Sequence, residues 1–329
     1  MQNLRYFGID VSKDDLHIAW QDQQQNWHYH KITNQIATID AFIEQHIPLE
    51  NTSCVIEHTG TYSHRLVLSL ALAGRTFSLI TPYQSKGFAQ VMKTTAKTDQ
   101  QDAHRLALYG QRMQPPTSRL IEQELHHSRQ CKKHLVDLWS DLQAAANRLH
   151  ALEYDPRANP KVKQSLRQLQ VQLQEQIALF EADLDQLGHD QLRQVATQMQ
   201  TVTGIGPAIS QALAIATNGL ADFACAKGLA KFVGVAPSVG ESGSSVRHKG
   251  SIRRTGQAAL RGLLYMGARS ARLHNRVCKA LYDRLRASGR CHKVAMVAVI
   301  NKLLHQVFAV VKSGVVFDNY YGVPKENLA

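Results

Sequence analysis

The sequence predicts an α/β domain over roughly the first 110 residues, then a long helical segment, then a mostly helical remainder. Three observations predict this order. The N-terminal part alternates short apolar runs with polar turns, as strands do. Residues 118–190 are rich in Gln, Leu, Glu and Lys and contain no glycine before Gly188, which favours long helices. The remainder shows apolar residues at helical spacing, interrupted by glycine-containing turns.

Three successive strands are predicted at the N-terminus, joined by polar turns as in an antiparallel meander. They are followed by helix, strand, helix, strand and two more helices. The predicted strands are Arg5 to Val11, Asp15 to Gln21, Trp27 to Ile32, Ser53 to Glu57 and Thr76 to Ile80. The predicted helices run from Ile36 to His46, from Ser63 to Ala73, from Pro82 onward, and from after Lys97 through Leu108. The order β-β-β-α-β-α-β-α, with the last two predicted helices counted together, is the ribonuclease-H-like arrangement.

Four acidic residues occupy informative positions in this predicted domain. Asp10 and Glu57 each end a short apolar run on a predicted strand. Asp99 and Asp102 are three residues apart, so on a helix they share one face. Carboxylate oxygens are the ligands of Mg²⁺, and two such ions near a phosphate stabilise phosphoryl transfer. The set predicts a metal site acting on nucleic-acid backbones, although each carboxylate alone fits a turn, a helix cap or a solvated face.

The middle segment is predicted to form a long, coiled-coil-like helical hairpin, broken at Asp155–Pro160. Its apolar residues recur at three-four spacing, which makes a narrow seam for a partner helix. They are Ile121, Leu125, Leu135, Trp139, Leu142 and Leu149, then Val162, Leu166, Leu169, Leu173, Phe180, Leu184 and Leu187, with Lys132 interrupting the first seam. The seam closes within the hairpin or on another subunit. We therefore divide the chain into residues 1–115, 116–195 and 196–329.

Two glycines precede a predicted helix, Ala208 to Ala216, near the start of the third segment. Gly204 and Gly206 stand in TGIGP, where exposed backbone N–H groups before a helix suit a phosphate. The pattern predicts a helix-hairpin-helix element or, about equally well, a simple tight turn. After an apolar stretch at Phe232–Pro237, three helices are predicted. They run near Gln257 to His274, Arg276 to Ala287 and His292 to Lys312, the last of these in the core.

The net charge of +12 is concentrated in one segment. From Glu241 to Arg290 the chain carries twelve Lys and Arg against two acids. A localised basic segment indicates a polyanion partner, here a nucleic acid, because solvated helical faces usually mix both signs. A glycine-rich loop with five serines, residues 238–251, begins this segment. Such loops are usually flexible connections, but a hydroxyl beside a bound phosphate is also a candidate nucleophile.

Several classes of protein and site are disfavoured by composition. The five cysteines form no CxxC and no disulfide framework, and the sixteen histidines show no zinc spacing. There is no Walker-type phosphate loop. No apolar run approaches the roughly 18–20 residues that span a membrane, and the N-terminus lacks a secretory signal. We expect a cytoplasmic, nucleoid-associated protein of bacterial type with no membrane contact.

The motifs together resemble those of the DEDD transposases of bacterial insertion sequences (the IS one-ten family), which are related to Piv-like DNA invertases. The resemblance covers nearly the whole chain. Its N-terminal, RuvC-like part rests on Asp10, Glu57-His58-Thr59-Gly60 with Tyr62, and Lys97-Thr98-Asp99 with Asp102-Ala103. Its C-terminal part rests on Gly204-Ile205-Gly206-Pro207, Gly234-Val235-Ala236-Pro237, Ser242-Gly243, Gly256, Leu260-Arg261 and Leu264-Tyr265-Met266.

The resemblance implies a mechanism. The four acids bind Mg²⁺, with Mn²⁺ as a possible substitute, and Ser242 attacks DNA to form a covalent phosphoserine link. A composite site combines the RuvC-like domain of one subunit with the serine loop of another, in a dimer or tetramer. A structured non-coding guide RNA, the bridge RNA, pairs with double-stranded donor and target DNA and supplies sequence choice. Three positions depart from the family pattern: His58, Glu241 and Gln257.

The function predicted from sequence is an RNA-guided DNA transposase or recombinase. Arg247, Lys249, Arg253, Arg254 and Arg261 are the candidate phosphate contacts. One alternative is a metal-dependent, structure-specific nuclease that uses water. Another is a non-catalytic nucleic-acid-binding protein. A tyrosine recombinase is disfavoured, because Tyr265, Tyr320 and Tyr321 show no Arg/His surroundings in the sequence.

Overall fold

The computed structural model describes residues 4–58, 60–92, 98–186, 190–237, 241–242, 246–247 and 256–321. For residues 185, 186, 241, 242, 246 and 247 it describes the backbone alone. The chain divides into two compact units, Met1–Ile121 and Glu122–Ala329. Each unit has its own hydrophobic core and is described by itself.

The first unit contains a five-stranded sheet with helices on both faces. Its strands are β1 Arg5–Val11, β2 Asp15–Gln21, β3 Trp27–Thr33, β4 Thr52–Glu57 and β5 Phe77–Ile80. Its helices are α1 Ile36–His46, α2 His64–Leu72, α3 Pro82–Val91 and α4 Asp99–Met113, with a 3₁₀ turn at Gly60–Ser63. The order of elements predicted from the sequence is confirmed, with most ends within two residues.

The sheet has the strand order β3-β2-β1-β4-β5. The first three strands of the chain pair antiparallel, while β4 and β5 run parallel to β1. The central strand β1 therefore lies between an antiparallel and a parallel neighbour. Its alternating residues point to opposite faces of the sheet, and this alternation separates the core of one face from the candidate site on the other.

One face of the sheet is covered by α1 and α2. Phe7, Ile9 and Val11 pack there with the apolar residues of the neighbouring strand and of both helices. The opposite face packs against α3 and α4. Its core contains Tyr6, Val55, Ile80, Phe88, Leu106 and Tyr109. The unit thus has helices on both faces of its sheet, and its α/β class is the one that the sequence predicts.

Helix α4 lies unusually close to β1, because glycines stand where the two elements meet. A Cβ atom added at Gly8 would overlap the Ala103 carbonyl oxygen and the Ala107 nitrogen. One added at Gly110 would overlap the ring of Tyr6. Gly8 lies on the same face of β1 as Asp10, two residues away. The close approach therefore brings the first turn of α4 beside the carboxyl end of β1.

The second unit begins with the predicted helical hairpin. It consists of α5 Gln123–Glu153 and α6 Pro160–Gln186, with the break where the sequence places it. Leu125, Leu135, Leu138, Ile177 and Leu184 are buried in the hairpin core. Part of the predicted seam therefore closes within the chain.

The structure corrects the membership of the seam at several positions. Trp139, Val162 and Leu169 were expected in the seam but are exposed. Ile177 and Leu138 are buried there but were not expected. Spacing identified the helices correctly, but a small drift in phase over long helices changes which residues face the partner.

The base of the hairpin packs on α8, Pro207–Thr217. Ile215 of α8 belongs to the hairpin core. The Arg129 guanidinium donates hydrogen bonds to the carbonyl oxygens of Ile215 and Ala216, both at 3.1 Å. Lys132, which interrupts the seam, donates to Gln211 Oε1 at 3.1 Å. The polar interruption in the seam thus has a partner on α8.

The rest of the second unit is helical apart from a short strand pair. Its elements are α7 Asp190–Gln200, α8, a 3₁₀ turn Asn218–Leu220, α9 Ala226–Val233, β6 Glu241–Ser242, β7 Val246–Arg247, α10 Ala258–His274, α11 Arg276–Ala287 and α12 His292–Ser313. The last three helices and α8 match the predicted ones. Helix α9 was missed: it is only eight residues long, and it ends at Gly234 in the left-handed region, φ 84°.

Helix α12 corrects the expectation about apolar runs. Among the described residues it alone is long and apolar enough to cross a membrane, by length and composition. The same helix supplies much of the core of the second unit, with Met296, Ile300, Leu304 and Val307 buried. Its place in the core, which the sequence predicts, accounts for this apolar composition, although Val294 is exposed.

Candidate active site

A row of polar side chains crosses one face of the sheet in the first unit. Asp10 of β1 pairs with His17 of β2, and His17 pairs with Lys31 of β3. On the other side of β1, Ile9 pairs with Ile56, so Glu57 follows beside Asp10 at the carboxyl ends of two parallel strands. Residues side by side in a sheet point to the same face. The pleat therefore places His17, Asp10 and Glu57 together.

The first turn of α4 brings the other two acids to this face. Asp99 is the first residue of the helix, and Thr98 caps it by accepting from the Gln101 N–H at 3.3 Å. Asp102 lies one turn later, next to Ala103, whose carbonyl contacts Gly8. Carboxylates in the first turn are favoured by the helix dipole, which gives both acids a structural reason to be there. That reason does not account for the electrostatics of Asp10.

The pKa of Asp10 is raised to about 6. Burial is the largest cause, followed by the charges of Asp102, Asp99 and Glu57, while His17 acts in the opposite direction. All four predicted carboxylates thus lie close enough to interact electrostatically on one face of the sheet. Mutual repulsion of this kind is relieved by a proton or by a cation.

Asp102 is more enclosed than Asp99, the other acid of α4, with 14% of its side chain exposed. Its Oδ1 atom lies 2.7 Å from Arg105 Nη2, three residues along the helix. Among the residues that the structure describes, neither this buried oxygen nor Arg105 Nε has a partner with hydrogen-bond geometry. The ion pair therefore leaves the oxygen without a well-directed donor, which a buried carboxylate normally has.

The donor set fits a hard divalent cation in its chemistry. In the part of the chain that the structure describes, no three carboxylate, imidazole or thiol groups meet as closely as a bound metal requires. Two observations still favour a cation: the raised pKa of Asp10, and the buried Oδ1 atom of Asp102, which lies in an ion pair with Arg105 but without hydrogen-bond geometry. The oxygens of Asp10, Glu57, Asp99 and Asp102 are the ligands that Mg²⁺ and Mn²⁺ take.

His17 is a neighbour of the acids that the sequence analysis did not single out. Its Nε2 atom lies 3.4 Å from Asp99 Oδ2, and its Nδ1 atom lies 2.6 Å from the Tyr29 hydroxyl. The side chain of His17 is buried. The alternation of the N-terminal strands could have placed it on the same face as Asp10, because the short turn between β1 and β2 fixes their register.

In the second unit, Gly204 has a packing role. It adopts φ +107°, and a Cβ there would lie 2.7 Å from Ala271 Cβ on α10. Gly206 caps α8 and has open space around it.

The Arg261 guanidinium, a predicted phosphate contact, donates to the carbonyl oxygen of Val233 at 3.0 Å. This hydrogen bond ties α10 to the C-terminal end of α9.

The serine predicted as nucleophile lies in a two-stranded ribbon. The backbone of Ser242 pairs antiparallel with Val246, and Glu241 pairs with Arg247. The structure does not describe the side chains of Ser242 and Arg247. The other predicted phosphate contacts, Lys249, Arg253 and Arg254, lie outside the described residues.

The surroundings of Tyr265 differ from the sequence expectation. Its hydroxyl lies 3.4 Å from His292 Nε2, and the other ring nitrogen of His292 lies 2.7 Å from the Tyr282 hydroxyl. The Arg272 guanidinium stacks over the Tyr282 ring at 5.4 Å. Tyr265 therefore does have a histidine nearby, and that histidine also contacts Tyr282, the tyrosine under Arg272. Folding brought these residues together from three helices, which spacing along the chain could not show.

Comparison with known families assigns the class of protein. Residues 7–152 match the DEDD transposase domain of IS110 type, and residues 196–283 match the transposase IS116/IS110/IS902 family. Both matches are to transposases, which are enzymes of DNA recombination, and together they span well over half of the chain. The chain belongs to the IS110 family of transposases.

Similar proteins extend the comparison over almost the full length. A pilin gene-inverting protein of Moraxella bovis is 27% identical over 334 aligned positions, covering 95% of this chain and 97% of its own. The pilin gene-inverting protein of Moraxella lacunata is 26% identical with the same coverage. An uncharacterized protein of insertion element IS110 from Streptomyces coelicolor is 24% identical over 37% of this chain and 30% of its own.

Proposed function

We propose that this chain cuts and rejoins DNA as a transposase or recombinase, with a Mg²⁺-dependent acidic site and Ser242 as nucleophile. The observation that carries the proposal is the convergence of Asp10, Glu57, Asp99 and Asp102 on one face of the sheet, where burial and then the charges of the other three acids raise the pKa of Asp10 to about 6. We assign the first unit to the ribonuclease-H-like, RuvC-like class. The strand order β3-β2-β1-β4-β5, with β1–β3 antiparallel and β4 and β5 parallel, supports this assignment.

When bound, Mg²⁺ supplies charge stabilisation to the oxygens of the phosphate under attack. Asp10 and Glu57 hold their positions on rigid strands, and Asp99 and Asp102 hold theirs on the first turn of α4. Rigid elements position ligands more accurately than loops do. Asp10 binds a cation as a carboxylate. Because its pKa is raised to about 6, protonation competes with metal binding as the pH falls toward 6.

Ser242 is proposed as the group that becomes attached to DNA. Its Oγ forms a bond to phosphorus as the bond to the departing strand oxygen breaks, and the serine proton is passed on to balance that leaving oxygen. The phosphodiester energy is kept in the phosphoserine until a strand hydroxyl attacks in turn. Water as nucleophile would release that energy. Rejoining without an external energy source therefore supports a covalent intermediate.

The basic segment that follows Ser242 is proposed to hold the DNA. Arg247, Lys249, Arg253 and Arg254 are assigned phosphate contacts by charge. We also propose that a structured guide RNA selects donor and target, and that the serine ribbon of one subunit completes the acidic site of another in a dimer or tetramer. The support for these two assignments is the family membership together with the basic segment.

The decisive experiment looks for the covalent link. Wild-type protein is incubated with double-stranded DNA carrying the element's ends, its co-purifying RNA and Mg²⁺, then analysed on denaturing gels and by peptide mapping. We expect a protease-sensitive adduct at Ser242 that is absent in Ser242→Ala and retained in the matched controls Ser244→Ala and Ser245→Ala. Cleavage without any adduct would instead establish the water-using nuclease. An adduct that persists in Ser242→Ala would move the nucleophile to another residue.

A further inference from the structure

We propose that His17 is a positioning residue of the acidic site. Through Nε2 it orients the carboxylate of Asp99, and the Tyr29 hydroxyl holds the His17 ring in the tautomer that can do so. The inference rests on the proposed metal-dependent function and adds two residues of this chain to that site. Neither residue belongs to the acidic set that the sequence motifs identify.

The geometry places His17 between a buried anchor and an exposed ligand. The side chain of His17 is 9% exposed, whereas that of Asp99 is 67% exposed. Nδ1 of His17 lies 2.6 Å from the Tyr29 hydroxyl, and Nε2 lies 3.4 Å from Asp99 Oδ2. The separation from Asp99 is slightly longer than an ordinary N–H···O hydrogen bond, and the Asp99 carboxylate is exposed, so it is free to turn toward Nε2. His17 thus presents one nitrogen to each neighbour.

The chemistry of the pair decides which nitrogen carries the proton. A neutral imidazole has one donor and one acceptor nitrogen, while an ionised carboxylate can only accept. A lone pair on Nε2 would face the lone pairs of Asp99 and repel them. With the proton on Nε2, that nitrogen donates to Asp99, and Nδ1 accepts from the Tyr29 O–H. Tyr29 is able to donate, so this arrangement satisfies all three groups.

Asp99 needs such a contact more than the other acids do. Asp10 is enclosed by the sheet and α4, and Asp102 is held beside Arg105. Asp99 begins a helix and is largely in solvent, where a free carboxylate samples several rotamers. Hydrogen bonds to metal-binding carboxylates fix their orientation, and their loss typically weakens metal binding 10–100-fold.

The arrangement of the sheet supports a role beyond packing. His17 is the cross-strand neighbour of Asp10, and Tyr29 lies two residues from Lys31, the cross-strand neighbour of His17. Lys31 makes its ion pair with Asp15 at 2.8 Å, and the charge of Asp99 contributes only in a minor way to the raised pKa of Lys31. Core packing alone does not explain why a buried histidine lies beside a carboxylate at the exposed end of a helix.

The first test measures Mn²⁺ affinity of the full chain by electron paramagnetic resonance, with no DNA present. We expect His17→Ala to weaken binding about tenfold and Tyr29→Phe to weaken it less. His17→Gln, which places an amide donor near the Nε2 position, should restore part of the affinity. His28→Gln, a histidine on the neighbouring strand paired with Asp22, is the matched control and should change nothing.

A double-mutant cycle separates positioning from general support of the fold. In an Asp99→Asn background, His17→Ala should cause little further loss of Mn²⁺ affinity, because the carboxylate it orients is gone. An equal loss in both backgrounds, or no loss in either, would overturn the inference.

A metal-free measurement distinguishes this inference from the proposed function. Nitrogen NMR of ¹⁵N-histidine-labelled protein, with the His17 signal assigned from its absence in His17→Gln, should show the tautomer with the proton on Nε2. Tyr29→Phe should shift that population toward the other tautomer. A wild type that binds no Mn²⁺ would overturn the metal-dependent function. A proton resident on Nδ1 of His17 would overturn the positioning role on its own.

Discussion

Gly8 of the central strand and Ala103 of helix α4 are in direct backbone contact, with no room for a side chain between them. Asp10 lies two residues from one partner and Asp102 is adjacent to the other. The distance between the two carboxylates is therefore set by backbone packing, which does not relax as easily as contacts between flexible side chains.

Substitution of Gly8 by alanine tests this arrangement. The new methyl group would overlap the backbone of α4 at Ala103 and Ala107, so the helix must move away from β1. We expect a loss of roughly 1–3 kcal/mol or more in the free energy of unfolding. We also expect weakened Mn²⁺ binding. Chemical denaturation and metal titration measure the two effects.

Gly87 is the matched control for that substitution, because it lies in α3 with nothing within 4 Å of an added Cβ. Gly87→Ala should leave metal binding unchanged and stabilise the helix by up to about 1 kcal/mol. If Gly8→Ala matches wild type in both measurements, the close approach of α4 does not set the site.

Replacement of Asp10 by asparagine should stabilise the metal-free protein at pH 8. The folded pKa of Asp10 is raised from 3.8 to about 6, so the folded state favours the protonated carboxyl. The stability that the folded state gains by binding this proton is fully present below pH 3.8 and is lost as pH rises through about 6. Allowing for its partial exposure, the expected gain of the asparagine variant is on the order of 1–2 kcal/mol at pH 8.

Thermal unfolding at several pH values measures this effect. The advantage of Asp10→Asn should vanish near pH 4, where the wild-type carboxyl is protonated as well. Added Mg²⁺ or Mn²⁺ should raise the melting temperature of wild type and not that of the variant. Equal stability of the two proteins at pH 8 without metal would contradict the electrostatic account of the site.

Arg261 should behave differently from Arg253 and Arg254 of the basic segment. Its guanidinium donates to the Val233 carbonyl oxygen, so Arg261→Ala is expected to cost about 1–3 kcal/mol of stability. Replacement of both Arg253 and Arg254 by alanine should leave stability unchanged and reduce the salt slope of DNA binding by about 2. Binding measured between low and moderate salt, beside thermal unfolding, checks both. A stable Arg261→Ala with a reduced salt slope would reverse these assignments.

The hairpin offers a matched pair of leucines on one helix. Leu184 is buried against α5, and Leu179 is exposed. Leu184→Ala should cost about 2–5 kcal/mol, while Leu179→Ala should stay within about 0.5 kcal/mol. Denaturant titration at fixed protein concentration measures the difference. If instead Leu179→Ala is the destabilising one and its effect grows on dilution, that face of α6 is an interface between subunits.

The N-terminal sheet could be predicted from sequence almost residue by residue. Its strands are short, strongly apolar on one face and separated by clear turns, so local pattern and tertiary packing agree. The acids could be placed on their elements for the same reason. Alternation along the strands places His17 on the face of Asp10, but its proposed role depends on contacts with Tyr29 and Asp99 that the sequence does not give. The spacing of His17, Tyr29 and Asp99 along the chain follows no helix or strand period that would predict these contacts.

For the helical second unit, the sequence predicted where most helices lie better than it predicted which of their residues are buried. Trp139 fits the apolar spacing of the seam and yet is exposed, while Leu138 beside it is buried. One residue is a rotation of about 100° on a helix, so a small error in phase exchanges inside for outside. The cluster of Tyr265, Tyr282 and His292 likewise formed from three helices whose packing the sequence alone does not give.

The contact between Gly204 and Gly267 has a consequence for how this chain can change over time. The carbonyl of Gly204 occupies the space where a side chain at Gly267 would begin, and a side chain at Gly204 would meet Ala271. When two side chains touch, enlarging one can be offset by shrinking the other. A side chain at Gly267 would meet a backbone oxygen, which no substitution removes, and neither glycine has a side chain that could be made smaller. A substitution at either glycine therefore has no single compensating change at the other, and we expect the two positions to be inherited together as glycine wherever this turn packs on this helix.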